Sequence, residues 1–296
     1  MLFDSYGEYV FLDGAMGTML QSLLKLDFSS GIKPDILNIT EPQAVEKIHR
    51  MYVEAGSDII STNTFGANAE MLRGTGYSPH DIISAAVALA KRAAAGIGDC
   101  IISPPGNTKV SLSIGPTGKL LEPIGDFEIE TAYGLFREMA IAGESSGADL
   151  ITIETMSDLT EAETALRAVK ENTSLPIFVT MTFEKSGHSF MGCAVEKFAA
   201  SMQSLGADAI GMNCSFMPSD MYAVAERLSA AASLPLIIKL NAGLPDSKTG
   251  IYSVPPETFA AQMLPYKKLG IKLIGGCCGT TPEYIKELRK AFQERS

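Results

Sequence analysis

No tryptophan occurs in the 296 residues, histidine occurs three times, and aromatic residues make up only 7% of the chain. Basic side chains are also scarce beside acidic ones, 24 against 34, for a formal charge of −10. Nucleic-acid phosphates require a clustered basic face, so a chain short of positive charge is expected to have no nucleic-acid partner. Long apolar runs are missing too. The nearest, around Ala85 to Ile97, is interrupted by Lys91 and Arg92, and the opening MLFDSYGEYV has neither the basic nor the apolar region of a secretory signal. The sequence therefore predicts no membrane span and a cytoplasmic location. Low polarity completes the picture: 46% of residues are hydrophobic and 20% charged, enough to bury a core and to set disorder aside.

Cysteine is limited to five residues, Cys100, Cys193, Cys214, Cys277 and Cys278. An odd count without an export signal argues against a disulfide framework and predicts reduced thiols, free to bind metal. A dinucleotide-binding glycine turn is also lacking. Gly14-Ala-Met-Gly17 follows the first strand-like run, but its spacing is wrong and no acidic partner lies suitably downstream.

What is present is alternation. Short apolar, β-branched runs read as strands at Tyr9 to Leu12, Asp58 to Thr62, Val110 to Ile114, Asp149 to Glu154, Pro176 to Thr182, Ala209 to Asn213, Leu236 to Asn241 and Lys272 to Gly276. Helix-period stretches fall at Glu41 to Ala55, Pro79 to Ala95, Asp126 to Ser146, Asp158 to Glu171, Val195 to Leu205, Pro218 to Ala232, Pro255 to Leu269 and Pro282 to Phe292. Four approaches to strands share a chemistry, Gly56-Ser-Asp58, Gly147-Ala-Asp149, Gly206-Ala-Asp208 and Gly270-Ile-Lys272, with glycine ending the helix before each. Eight such units in this length predict an α/β fold, a single-domain (β/α)8 TIM barrel over residues 1–296. The loop from Ile97 to Lys109 is the least regular segment and is expected to be exposed.

Sites on such barrels lie at the carboxyl ends of the strands. Asp13 ends the first strand, Thr62 and Asn63 the second, Glu154 the fourth, Cys214 the sixth, Asn241 the seventh, and Cys277 with Cys278 the eighth. Any one cysteine is most often a small apolar side chain. Three thiols meeting at the ends of strands six and eight are another matter: they would give a tetrahedral zinc three sulfur ligands and an open fourth position, the mark of a catalytic site. The glycines of Gly275-Gly-Cys-Cys-Gly279 would let the chain leave strand geometry so that both sulfurs reach one ion. Cys100 and Cys193 fall in loops away from strand ends. No histidine competes as a ligand; His49, His80 and His188 are each expected to face solvent or cap a turn.

Asp13-Gly-Ala-Met-Gly-Thr18 sets a carboxylate beside small residues whose backbone N–H groups could hold an anion where a helix begins. Glu154 faces the same mouth, so the two acids could share an ammonium group, which would suit a zwitterionic ligand.

Asp13-Gly-Ala-Met-Gly-Thr18, Thr62-Asn-Thr-Phe-Gly-Ala-Asn68, Ser113-Ile-Gly-Pro-Thr-Gly118, Ile153-Glu-Thr155, Gly211-Met-Asn-Cys-Ser215 and Gly275-Gly-Cys-Cys-Gly-Thr280 together resemble the homocysteine S-methyltransferase family over nearly the whole chain. The resemblance is strongest to the homocysteine-binding module of cobalamin-dependent methionine synthase. It implies Cys214, Cys277 and Cys278 as zinc ligands, with Asn241 lending its amide oxygen to the metal before substrate arrives. It further implies that Asp13 and Glu154 hold the amino group of L-homocysteine, backbone at Gly14, Ala15 and Met16 its carboxylate, and that Thr62 is a nearby contact. The implied reaction is methyl transfer to the homocysteine thiol, giving methionine.

The family uses methylcobalamin, S-methylmethionine, S-adenosylmethionine or betaine as donor. An Asp-x-His-x-x-Gly corrinoid-ligating motif is missing and the eight units consume the chain, so a corrinoid or folate module is expected on a separate protein or module. The lack of tryptophan disfavours an aromatic cage for betaine. Two other readings stand beside this one: a zinc-dependent lyase or hydrolase barrel, and a non-catalytic zinc or redox-sensing barrel.

Overall fold

The computed structural model describes residues 7–96, 108–246, 250 and 252–293. Eight parallel strands stand in chain order around a barrel: β1 (Val10–Phe11), β2 (Ile59–Ser61), β3 (Lys109–Ile114), β4 (Leu150–Met156), β5 (Ile177–Met181), β6 (Ala209–Asn213), β7 (Leu236–Leu240) and β8 (Leu273–Gly276). β1 pairs with β8, and a parallel bridge between Leu12 and Ile59 brings β1 to β2, so the sheet closes as a (β/α)8 barrel. Each predicted strand is present to within two residues at either end.

Around the sheet run α1 (Gly17–Leu24), α2 (Leu37–Thr40), α3 (Pro42–Glu54), α4 (Pro79–Ala94), α5 (Ile129–Ser145), α6 (Leu159–Asn172), α7 (Val195–Leu205), α8 (Pro218–Ala231), α9 (Pro256–Met263) and α10 (Pro282–Gln293). Two differ from expectation. The helix predicted over Pro255 to Leu269 gives way after Met263 to a 3-10 turn over Leu264–Leu269, because Pro265 has no N–H to continue the α ladder. The stretch before α3 also holds α1, α2 and short 3-10 turns at Phe28–Ser30 and Pro34–Ile36, which are too short to show a helical period. The run at Ala85 is part of α4, an amphipathic helix capped by a reciprocal Ser78–Asp81 box. Among the described residues no helix is long and apolar enough to cross a membrane. Cys100 and most of the loop predicted from Ile97 to Lys109 lie outside the described residues.

The repeated glycine-x-aspartate approaches have a structural cause. Gly56, Gly147 and Gly206 take positive φ values of 97°, 93° and 82°, reversing the chain into the next strand. Each following aspartate then reaches sideways to the amino end of the preceding strand. Asp58 accepts the Phe11 N–H at 2.8 Å, Asp149 the Val110 N–H at 2.7 Å, and Asp208 the Ile177 N–H at 2.8 Å. The fourth copy carries lysine, and Lys272 Nζ donates to the carbonyls of Gly7 and Glu8. Three strand pairs are thus tied at the end away from the site.

Inside the barrel, alternate residues of each strand face the lumen. The lowest layer is apolar: Val10, Leu12, Ile59, Leu150, Phe178, Ala209, Ile237 and Leu273 form a buried cluster apart from the larger core between sheet and helices. Two residues further along each strand the lumen turns polar. Ser111 meets Thr152 at 2.7 Å, and Lys239 meets Asp13 at 2.8 Å. Two residues further still come Ser113, Glu154, Asn213 and Cys277.

Candidate active site

A cavity of about 580 Å³ opens at the carboxyl ends of the strands. Its lining includes Asp13, Gly14, Ala15, Met16, Thr62, Glu154, Cys214, Cys277 and Cys278, whereas Asn241 is not part of that lining. Its floor is reactive. Phe28, Phe65, Met16 and Met71 contribute an apolar wall.

The sulfurs of Cys214, Cys277 and Cys278 lie within 4.8 Å of one another. Cys214 Sγ and Cys278 Sγ are 3.7 Å apart, close to the spacing of about 3.8 Å that bonds of about 2.3 Å impose on two ligands of a tetrahedral zinc. Cys214 and Cys277 are the most closely approaching pair, with Cα atoms 5.5 Å apart. Sulfurs gathered closely enough to share an ion are also near enough to bond to one another on oxidation. As thiolates, the three sulfurs are a donor set that suits zinc. Burial raises the pKa of Cys278, partly offset by a hydrogen bond from the Tyr252 hydroxyl. Burial and the neighbouring Cys278 push Tyr252 itself up to about 12.

Local backbone places these sulfurs. Cys214 has φ 48°, a left-handed value rare outside glycine, which swings its side chain off the line of β6. On β8 the glycines act by size as much as by freedom. A Cβ on Gly275 would sit 2.7 Å from the Asp13 carbonyl oxygen, and one on Gly276 would sit 2.3 Å from Thr280 Oγ1. The turn after the cysteines is made by Gly279 at φ 80°, where a Cβ would fall 2.1 Å from the Tyr252 ring. The Asn241 amide oxygen accepts the Cys278 N–H at 3.0 Å, which braces the cysteine turn.

Asp13 is more engaged than the sequence suggested. Its carboxylate accepts the Ser61 N–H at 2.6 Å and the Ser61 hydroxyl at 3.2 Å, and pairs with Lys239 Nζ at 2.8 Å. Burial disfavours the Lys239 ammonium, but Asp13 and Glu154 outweigh it, and its pKa is raised above the ordinary lysine value. Sequence reasoning passed over Lys239. The available signal was parity, since Ile237, Lys239 and Asn241 alternate along β7 and a lysine on that face points into the lumen.

Glu154 accepts a short hydrogen bond from the Ser113 hydroxyl and a longer one, 3.3 Å, from Asn213 Nδ2. It sits at a bulge: Ile153 pairs with Val179 but Met156 with Met181, so β4 carries one extra residue. Thr155, at φ 61°, is that irregularity, and both Glu154 and Thr155 line the cavity. Thr62 gives its hydroxyl to an internal network, 2.7 Å from Thr64 Oγ1 and 3.1 Å from the Ser113 N–H it accepts.

At the nest, Ala15 N–H makes a long bond of 3.4 Å to the Thr280 carbonyl. α1 begins directly after Met16, and Leu20 is the first of its N–H groups to reach a helical carbonyl, that of Met16 at 2.9 Å. The N–H groups of the first turn therefore project from the helix end beside the cavity. Cys193 is buried and donates to the Ala194 carbonyl, apart from the sulfur cluster. His80 and His188 are exposed as expected, whereas His49 is not. It is fully buried in α3, and burial lowers its pKa to about 4.

Known proteins bear on this arrangement. Three solved forms of the homocysteine methyltransferase MmuM from Escherichia coli share the fold. The apo form has a TM-score of 0.75 at 23% identity, and the metallated form 0.81 at 22%, each covering 98% of both chains. Methionine synthases of Mycobacterium leprae and Mycobacterium tuberculosis are each 35% identical over 292 residues, which is 94% of this chain. The chain spans 24% of the length of those relatives. The sequence model of homocysteine S-methyltransferase matches residues 10–292, and the chain belongs to that family.

Proposed function

We propose that this barrel transfers a methyl group to the thiol of L-homocysteine, with the substrate sulfur presented at a zinc site made by Cys214, Cys277 and Cys278. The single observation that carries this reading is the convergence of three sulfurs within 4.8 Å beside a carboxylate in one cavity. Family membership supports the substrate, and the metallated form of MmuM supports a metal. A bound zinc would supply a Lewis acid that keeps a thiol, ordinarily of pKa near 8.5, as its nucleophilic thiolate at neutral pH.

The chain's own residues do the rest. Glu154 receives the substrate ammonium, with Asp13 a second, Lys239-tethered acceptor. The first turn of α1 and the backbone from Gly14 to Met16 receive the carboxylate. Thr62 lies alongside. Met16, Phe28, Phe65 and Met71 shield the reacting sulfur from bulk water. The sulfur's lone pair forms the new S–C bond as the methyl carbon's bond to its donor breaks, and the neutral thioether leaves.

The donor is proposed to be a methylcorrinoid, methylcobalamin on a separate protein or module, in keeping with the methionine synthase relatives. S-methylmethionine, S-adenosylmethionine and betaine are the competing donors. A closed structural zinc site would need a fourth protein ligand, and among the described residues the metal-competent group contains three.

The test is zinc content of the reduced protein together with methionine formation from a panel of these donors. Wild type should hold close to one zinc and turn over with one donor class; Cys277→Ala should lose both. Wild-type turnover in that variant would overturn the proposal.

A further inference from the structure

We infer that Asn213 is a positioning residue that holds the ammonium-binding carboxylate and the sulfur cluster in register, an inference that rests on the proposed reaction. Asn213 closes β6, is fully buried, and directly precedes Cys214. Its amide orientation is fixed by chemistry: the Thr155 backbone N–H can only donate, so the atom 2.8 Å from it is the amide oxygen. The same oxygen accepts the Thr180 hydroxyl at 2.8 Å. Nδ2 must then face the other way, toward Thr155 Oγ1 at 2.7 Å, Glu154 Oε2 at 3.3 Å and Cys277 Sγ at 4.0 Å.

One side chain thus grips Thr155 at both its N–H and its hydroxyl, and Thr155 is the left-handed residue of the β4 bulge. Consecutive strand residues normally face opposite ways. The bulge lets Glu154 and Thr155 share the cavity, and the Asn213 clamp holds it there. The two non-glycine residues with left-handed backbone at the site, Thr155 and Cys214, are respectively clamped by Asn213 and bonded to it in sequence. Homocysteine would bridge these same two places, its ammonium at Glu154 and its sulfur at the cysteines. An error of about 1 Å in their separation is enough to cost a rate or affinity factor near a hundred. The Nδ2 donor also points positive partial charge at two anionic groups, which an aspartate in its place would reverse.

The experiment uses reduced, zinc-loaded full chain without any methyl donor. Binding of homocysteine is compared with binding of 4-mercaptobutanoate, which has the thiol and carboxylate but no amino group. Asn213→Asp is expected to keep zinc near one per chain while weakening homocysteine about 10- to 100-fold, the range for a lost hydrogen bond to a charged group. The des-amino thiol should change far less, so the preference for homocysteine collapses. In a Glu154→Gln background the same substitution should have no further effect on that preference. Should Asn213→Asp fail to fold, Asn213→Ser is read by the same ratio. An unchanged preference, or a full additional loss in the Glu154→Gln background, overturns the inference. Wild type that binds no homocysteine even with zinc present overturns the proposed reaction instead.

Discussion

Lys239 and Asp13 set opposite charges against each other inside the barrel, with about 7% and 4% of their side-chain surfaces exposed. Removing one partner of such a pair leaves an uncompensated buried charge, so Lys239→Met should destabilise the barrel by about 3–5 kcal/mol. Asp13→Asn added to it should recover much of that in urea unfolding, and equal losses in single and double variants would refute the pairing. Two other buried groups make stability depend on pH, with opposite signs. Burial raises the Asp35 carboxyl to about 6 from 3.8, so the native state holds that proton more tightly. Its contribution is complete below about 3.8 and declines as pH rises through about 6, by an amount on the order of 1–3 kcal/mol. His49, lowered by burial to about 4 from 6.5, contributes fully above 6.5 and loses that contribution as pH falls toward 4. Unfolding midpoints between about pH 3.5 and 7 should show Asp35→Asn removing a decline as pH rises through about 6, and His49→Leu removing a loss as pH falls from 6.5 toward 4. Cysteine and acid positions at strand ends were legible from spacing alone. The partners of Asp13 and Asn241 were not, because a hydrogen bond across a barrel joins residues such as Asp13 and Lys239 that share no local pattern.

The elements themselves were largely written in periodicity, since each strand is short, apolar and bounded by turn residues. What periodicity left out is local departure from regularity. The β4 bulge and the left-handed backbone of Thr155 and Cys214 occur at residues that carry no glycine to announce them. Where glycine does announce a turn, its purpose still depends on neighbours: Gly279 combines a left-handed backbone with the Tyr252 ring packed against its Cα. Gly279→Ala should therefore cost about 1–2 kcal/mol in backbone strain, with a further loss as Tyr252 is displaced. A lower thermal midpoint and a reduced zinc content are the expected readouts. A variant matching wild type in both would show that the turn tolerates a side chain.

Over the molecule as a whole, the sulfur cluster links redox state to stability. A disulfide between Cys214 and Cys277 would use the same atoms as the proposed three-thiolate zinc site, so the two states would exclude one another. Zinc added to reduced protein should raise the unfolding midpoint, because a ligand at 1,000 times its Kd contributes about 4 kcal/mol to the folded state. Zinc added after deliberate oxidation of the cysteines should leave the midpoint where it was. A rise of equal size in both conditions would mean that the ion binds elsewhere. The aspartate ties of Asp58, Asp149 and Asp208 lie at the opposite rim from this chemistry. They fasten three pairs of neighbouring staves without help from the loops above. A designer could transplant new loops onto the upper rim while these three ties stay in place beneath them.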